Sequence, residues 1–203
     1  MTTLVALRHG RTAWNHEGRM QGWAPVPLDE RGREQADAAG AWLADEYRFD
    51  AVYTSDLFRT RETTERVLAH LPNETATERA AFRERDVGMY QGLTYEEMFE
   101  RFPEFGLGEA GAAAAERTPE SGESLTAVSE RVVDGFEQLC ATHPDGTLLL
   151  VTHGGPIYML VGHARGLSVT DAVLAGSQDN CGATVIDDDG GTTVRAENRT
   201  GWR

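Results

Sequence analysis

Leu4-Val5-Ala6-Leu7 runs directly into Arg8-His9-Gly10, and this abrupt change from apolar to polar residues most limits the folds open to the chain. Four apolar residues closed by a glycine read as a short buried strand. Arg8 and His9 then stand at the strand's carboxyl end, where open α/β sheets bind ligands. A guanidinium beside an imidazole at such a place suits an anion, phosphate above all. A hydrogen-bonded structural histidine after a strand would leave the same local pattern, so both readings stay open at this point.

The remaining elements extend an α/β reading. Asp29 is placed to cap a helix to about Leu43, with Ala36, Ala39 and Leu43 inward. Ala51-Val52-Tyr53-Thr54 reads as a second strand, and Ser55 as the cap of a helix to about Leu71. Arg59 falls in that helix's first turn, where a side chain leans back over the preceding strand's end. Its neighbour Arg61 is expected to be solvated or paired with Glu65. Thr94 and Glu97 form a capping box for a short helix. Gly106 to Ser124, rich in Gly, Ala, Glu and Ser, is expected to form a flap without a core of its own. Ser124 caps a further helix to about Cys140. Thr147 to Thr152 is a third strand, broken by His153-Gly154-Gly155, and Pro156 opens the next helix. Ala183–Ile186 and Thr192–Arg195 frame a hairpin. Length fits one domain, 1–203, with the flap inserted at about 84–124.

Three strand-to-helix junctions therefore carry Arg8 and His9, Arg59, and His153. In a mainly parallel sheet such junctions share one edge, so the four side chains can meet. The helix opening near Pro156 aims its free N–H groups at the same edge.

Charge is consistent with an anion at that place. The chain carries 33 acids against 19 basic residues, all arginine, for a net charge of −14. Residues 1–28 reverse the balance, with Arg8, Arg11 and Arg19 against Glu17 alone. A cationic island on an anionic protein suits an anionic substrate, whereas the overall excess disfavours nucleic acid or an anionic membrane as partner. Cys140 and Cys181 lack metal-ligand or disulfide-framework spacing and read as reduced thiols. Neither a signal peptide nor a membrane-crossing apolar run is visible, so a cytoplasmic location is the expectation. A homodimer is compatible with the sequence but not signalled by it.

These pieces together resemble the histidine phosphatase superfamily, the group that contains the cofactor-dependent phosphoglycerate mutases. The matching residues are Arg8-His9-Gly10 with Thr12, Trp14 and Asn15; Gly18 to Gly22; Ser55 with Arg59; Glu84 with Gly88 and Gly92; Gly122-Glu123-Ser124; and Thr152-His153-Gly154-Gly155. They lie in family order over almost the whole chain. The resemblance implies a three-layer α/β/α sandwich with a mainly parallel central sheet. It also implies a phosphohistidine intermediate and neither metal ion nor cofactor.

By matching position, His9 is the expected nucleophile, its pKa held down by Arg8 and Arg59. Arg8, Arg59 and His153 are expected to hold the phosphoryl oxygens, assisted by Asn15. Arg11, Thr12, Gln21, Gly22 and Gly154 are further substrate-binding candidates. Glu84 is expected to protonate the leaving alkoxide, although in Arg83-Glu84-Arg85-Asp86 a solvated charge run would look the same. Trp14, Trp23 and Tyr90 either line the mouth or pack in the core.

Between residues 86 and 122 the cations are Arg101 and Arg117, few for a mutase that must hold a second anionic group. Asp86 and Val87 stand where the family's mutases carry His and Tyr, and Arg11 and Gln91 also depart from the common pattern. The expectation is hydrolysis of a small-molecule phosphomonoester; phosphoglycerate mutase activity and a phosphate-binding module without turnover are the alternatives. The acidic composition raises the hypothesis of a halophilic source, since salt screens self-repulsion. On that hypothesis the protein unfolds in low-salt buffer, and full stability at low ionic strength contradicts it.

Overall fold

The first strand, β1 (Thr2–Arg8), turns Val5 and Leu7 to one side and Leu4 and Ala6 to the other, and all four are buried. A two-residue period buried on both faces is what a central strand covered by helices requires. The computed structural model describes residues 1–71 and 74–203. Among them are β2 (Ala51–Thr54), β3 (Ala76–Glu78), β4 (Thr147–Thr152), β5 (Ala183–Asp188) and β6 (Thr192–Arg199). The helices are α1 (Ala13–His16), α2 (Glu30–Glu46), α3 (Phe58–Leu68), α4 (Tyr95–Arg101), α5 (Leu107–Ala110), α6 (Ala112–Glu116), α7 (Leu125–Thr142), α8 (Gly154–Arg165) and α9 (Val169–Ala175).

One six-stranded sheet runs in the order β3-β2-β4-β1-β5-β6. The pairs β3–β2, β2–β4 and β4–β1 are parallel, while β1–β5 and β5–β6 are antiparallel. Val5, Leu7, Leu149 and Val151 pack against Ala36, Ala39 and Leu43 of α2 and Val67 of α3. The opposite face, Leu4, Ala6, Leu148 and Leu150, packs against Val128, Val132 and Phe136 of α7 and Ile157 and Leu160 of α8. The architecture is the expected three-layer sandwich. No helix among the described residues is long and apolar enough to cross a membrane.

Asp29, Thr94 and Ser124 cap α2, α4 and α7 through backbone N–H groups three residues on, as their spacing requires. Other expectations need correction. Ser55 is not the cap: α3 starts at Phe58 behind Leu57, and the Ser55 hydroxyl makes only a long 3.4 Å contact with the Leu57 N–H. Pro156 is the third residue of α8, which opens at Gly154. Arg61 pairs with Glu78 at 2.7 Å, not with Glu65. The three-residue strand β3 had no sequence signal strong enough to be read, whereas α9 had one in Ser168, which caps it through the Asp171 N–H.

Between Gly106 and Ser124 the small residues gather no apolar cluster of their own among the described residues, but the segment has regular structure. Helices α5 and α6 form there, with Ala114 and Ala115 buried. Just before them Tyr90, Met98 and Phe105 make a small apolar cluster with Met20, Leu93 and Phe102. Alanine's helix propensity and aromatic packing hold this region together despite its glycines. The loop after α1 is tied onto it, since Met20 N–H donates to the Leu93 carbonyl and Gly92 N–H to the Met20 carbonyl, both at 2.9 Å.

Candidate active site

Parallel pairing places the carboxyl ends of β1, β2 and β4 side by side, with Arg8 opposite Thr152 and Thr54 opposite Val151. The residues that follow open onto a cavity of about 470 Å³ lined by Arg8, His9, Asn15, Arg59 and Glu84. The three junctions do meet.

His9 is buried, and its ring has one arrangement that satisfies both nitrogens. Nδ1 lies 2.8 Å from the Gly10 carbonyl, which can only accept, so Nδ1 carries the proton. Nε2 lies 3.2 Å from Nε of Arg59, which can only donate, so Nε2 presents its lone pair. Burial pushes the His9 pKa well below its usual value, and the Arg59 and Arg8 guanidiniums push it further. The order of causes differs from the expectation, since desolvation outweighs the repulsion of the two arginines. His153, fully buried, meets His9 edge-on with ring centroids 5.2 Å apart. Its pKa is likewise held far down, by burial first and then by Arg59, His9 and Arg8. Its Nε2 is 2.9 Å from the Ser55 hydroxyl, which is the partner that Ser55 takes in place of a helix end.

Arg59 is almost completely buried, with Nη2 donating to the Gly22 carbonyl at 2.9 Å. Gly22 presents that carbonyl from φ +49°, a conformation that side-chain-bearing residues rarely adopt. Burial pulls the Arg59 pKa down to about 10, against the opposing attraction of Glu84, and leaves the group charged at neutral pH. Among the described residues four buried side-chain nitrogens have no hydrogen-bond partner: Arg8 Nε, Arg59 Nη1, His153 Nδ1 and Gln178 Nε2. Three of the four belong to the groups gathered round His9. Buried donors are rarely left unpaired, and a cluster of them fits the oxygens of a tetrahedral anion.

Glu84 approaches from the far side of the cavity. Its Oε1 accepts from the Arg85 N–H at 2.9 Å and its Oε2 from the Gly155 N–H at 3.2 Å. Behind it Arg131 donates to the carbonyls of Ala81, Arg83 and Glu84 and is itself held by Glu123. Trp23 Nε1 donates to the Glu84 carbonyl at 2.8 Å. The run Arg83-Glu84-Arg85-Asp86 is therefore pinned, not solvated.

Several candidates fall elsewhere. Arg11 turns away and pairs with Asp29 at 2.8 Å, and Arg19 pairs with Glu17 at 2.6 Å, so of the three N-terminal arginines Arg8 alone lines the cavity. Thr12 is buried behind it, where it caps α1 and bonds Asn15 and Gln21. Asn15 and Gln21 line the cavity, as do Gly22 and Gly154. Trp14, Trp23 and Tyr90 do not line it. Asn180, not foreseen, donates to the His9 carbonyl at 3.0 Å and to Asn15 Oδ1 at 3.3 Å. Arg8 Nη1 donates to the Gln178 carbonyl. Both Asn180 and Gln178 lie in the loop before β5, which reaches the site because β5 runs antiparallel to β1. Among the described residues no group of three or more His, Cys, Asp or Glu is placed to hold a metal ion.

Such a sheet edge, with a neutral imidazole beneath unpaired cationic donors, defines an α/β protein built to take a phosphoryl group. The chain belongs to the histidine phosphatase superfamily (branch 1), whose family model matches residues 4–199. It is 33% identical over 186 residues to a metal-independent phosphoserine phosphatase of Arabidopsis thaliana, covering 92% of this chain and 76% of that protein. It is 35% identical over 163 residues to phosphoglycerate mutase-like protein 4 of the same plant, covering 80% and 70%. The solved structure of Bacillus stearothermophilus YhfR superposes with a TM-score of 0.85 at 30% identity, covering 98% of this chain and 97% of that one.

A methyl group on Gly155 would stand 2.2 Å from Glu84 Oε1. The carboxylate can swing aside at little cost in stability but loses its aim. Gly155→Ala is expected to lower kcat/KM, which reports the steps through leaving-group departure, about tenfold or more on alkyl phosphates and much less on p-nitrophenyl phosphate, whose leaving group needs no proton. Equal losses on both esters contradict this role for Glu84.

Burial of two neutral imidazoles also has a signature in stability. Above about pH 6.5 folded and unfolded chains both carry them neutral. As pH falls below that value the unfolded state takes up protons that the fold excludes. Stability then drops by up to about 1.4 kcal/mol per pH unit for each histidine. Urea unfolding between pH 7 and 5 is expected to show this fall, with a shallower slope in His153→Gln. An unchanged slope in the variant argues against a buried neutral His153.

Proposed function

We propose that the protein hydrolyses phosphomonoesters of small molecules through a phosphohistidine at His9. The observation that carries this reading is the set of unpaired buried nitrogens on Arg8, Arg59 and His153 around the His9 Nε2 lone pair, with Ser55 placed to donate to His153 Nε2 and leave the proton on Nδ1. The substrate's phosphoryl oxygens take those donors, at about 1.5–3 kcal/mol for each charge-assisted bond. Nε2 attacks phosphorus, the P–O ester bond breaks, and Glu84 gives a proton to the departing alkoxide. Arg8, Arg59 and the amino end of α8 meet the charge that spreads over the equatorial oxygens. Water then attacks the phosphohistidine while Glu84 takes its proton, which frees orthophosphate and restores His9.

Asn15 assists from the cavity wall, with Thr12 and Asn180 setting its amide by occupying Oδ1. In this reading the segment 84–124 is an insertion within one domain that forms the far wall and cover of the cavity. Hydrolysis is favoured over phosphoryl re-delivery because beyond Arg8 and Arg59 the cavity is lined by a single further cation, Arg85. Its Nε and Nη2 are committed to the carbonyls of Glu123 and Arg117. A cytoplasmic setting and an acidic surface adapted to salt complete the proposal, the latter supported by the net charge of −14.

Incubation with p-nitrophenyl phosphate and with 3-phosphoglycerate, for the parent protein and His9→Ala, tests the reading. Phosphate release that falls at least a thousandfold in the variant is the expected result. Isomerisation of 3-phosphoglycerate stimulated by 2,3-bisphosphoglycerate would instead make the protein a mutase, and release retained in His9→Ala would remove His9 from the chemistry.

A further inference from the structure

Beyond the phosphoryl end, the cavity changes character. Its outer wall includes Met20 from the loop after α1, Met98 and Phe99 of α4, Phe105, Leu107 of α5 and Leu174 of α9. Of the charged residues that line it, Arg8, Arg59 and Glu84 belong to the reaction centre. The fourth, Arg85, is half-buried, spends two nitrogens on main-chain carbonyls, and lies over the Phe105 ring at 5.9 Å. The rim is apolar as well. Among the described residues eight large hydrophobics are exposed, and Tyr95, Phe99 and Leu174, at 54%, 43% and 59%, stand together at this mouth. On a surface with this many charges, an exposed apolar cluster that continues into a cavity marks a binding surface.

A leaving group that carries its own carboxylate would lose its hydration against these side chains, and the one cation left to meet it, Arg85, already spends Nε and Nη2 on carbonyls. An uncharged hydrocarbon group would gain by covering them. We therefore propose that the alcohol portion of the substrate is uncharged and apolar, an aryl-alkyl or alkyl group seated against Phe99, Leu107 and Leu174. This inference rests on the phosphatase reading above and narrows it: carboxylated esters such as phosphoserine and phosphoglycerate are poor fits to this chain, whatever its relatives accept.

The test compares primary-alcohol esters, so that leaving-group chemistry is matched as closely as the classes permit. With the full chain, kcat/KM is measured for 2-phenylethyl phosphate and hexyl phosphate against O-phosphoserine and 3-phosphoglycerate, at one pH and one salt concentration. The apolar esters are expected to be preferred at least tenfold, chiefly through KM. Leu174→Arg and Phe99→Arg alter exposed positions, so folding is not at stake. Each is expected to lower the ratio of kcat/KM for 2-phenylethyl phosphate to that for phosphoserine at least fivefold. A preference for phosphoserine or 3-phosphoglycerate in the parent protein overturns the inference while leaving the phosphatase reading intact. So does a ratio that neither arginine variant moves. Failure to hydrolyse any of the four esters, or p-nitrophenyl phosphate, overturns the phosphatase reading and the inference with it.

Discussion

A charged guanidinium buried against a neutral imidazole is the constraint on which this molecule depends. Taking Arg59 out of water without a carboxylate partner costs several kcal/mol. What offsets it is modest: the Gly22 carbonyl, the His9 Nε2 lone pair and the attraction of Glu84. The fold bears this cost because two packed apolar layers hold the sheet edge in place. The same charge that strains the resting site adds to burial in holding His9 deprotonated and is ready for an anion, so the destabilising feature and the reactive one coincide.

The sheet topology explains why this can be arranged with so few residues. Three parallel strands end at one edge and supply Arg8 with His9, Arg59, and His153 in turn. The antiparallel strand β5 then runs away from that edge, so the loop before it delivers Gln178 and Asn180 to the backs of Arg8, His9 and Asn15. Opposite, Arg131 and Glu123 fix the main chain on either side of Glu84. The reacting groups thus come from elements with separate supports, and the far wall is made by other residues, from Tyr95 to Leu107 and at Leu174.

Much of this was legible in the chain because the signals are local. Apolar runs that end in polar residues marked β1, β2 and β4, and capping residues marked α2, α4 and α7. From those alone the meeting of Arg8, His9, Arg59 and His153 followed. What stayed hidden depends on distant partners. A serine ahead of a helix looks like a cap, and only the approach of His153 shows why Ser55 is there. Arg11 looks like part of a cationic patch until Asp29, at the start of α2, is folded beside it. Asn180 gave no signal, because nothing local says that β5 lies antiparallel to β1. The short helices of the alanine- and glycine-rich stretch stayed hidden for a related reason: its own residues are small, and the aromatic cluster beside it is drawn from Met20, Tyr90, Met98 and Phe105.

The central claim is that a single ring nitrogen, shielded from protons by burial and flanked by unpaired donors, carries the phosphoryl group. Quenching the enzyme in alkali during turnover of a ³²P-labelled ester, followed by peptide mapping, examines it directly. The account predicts acid-labile, alkali-stable label on the peptide containing His9. Label on another residue, or turnover with no labelled protein under conditions where the label survives, would contradict it.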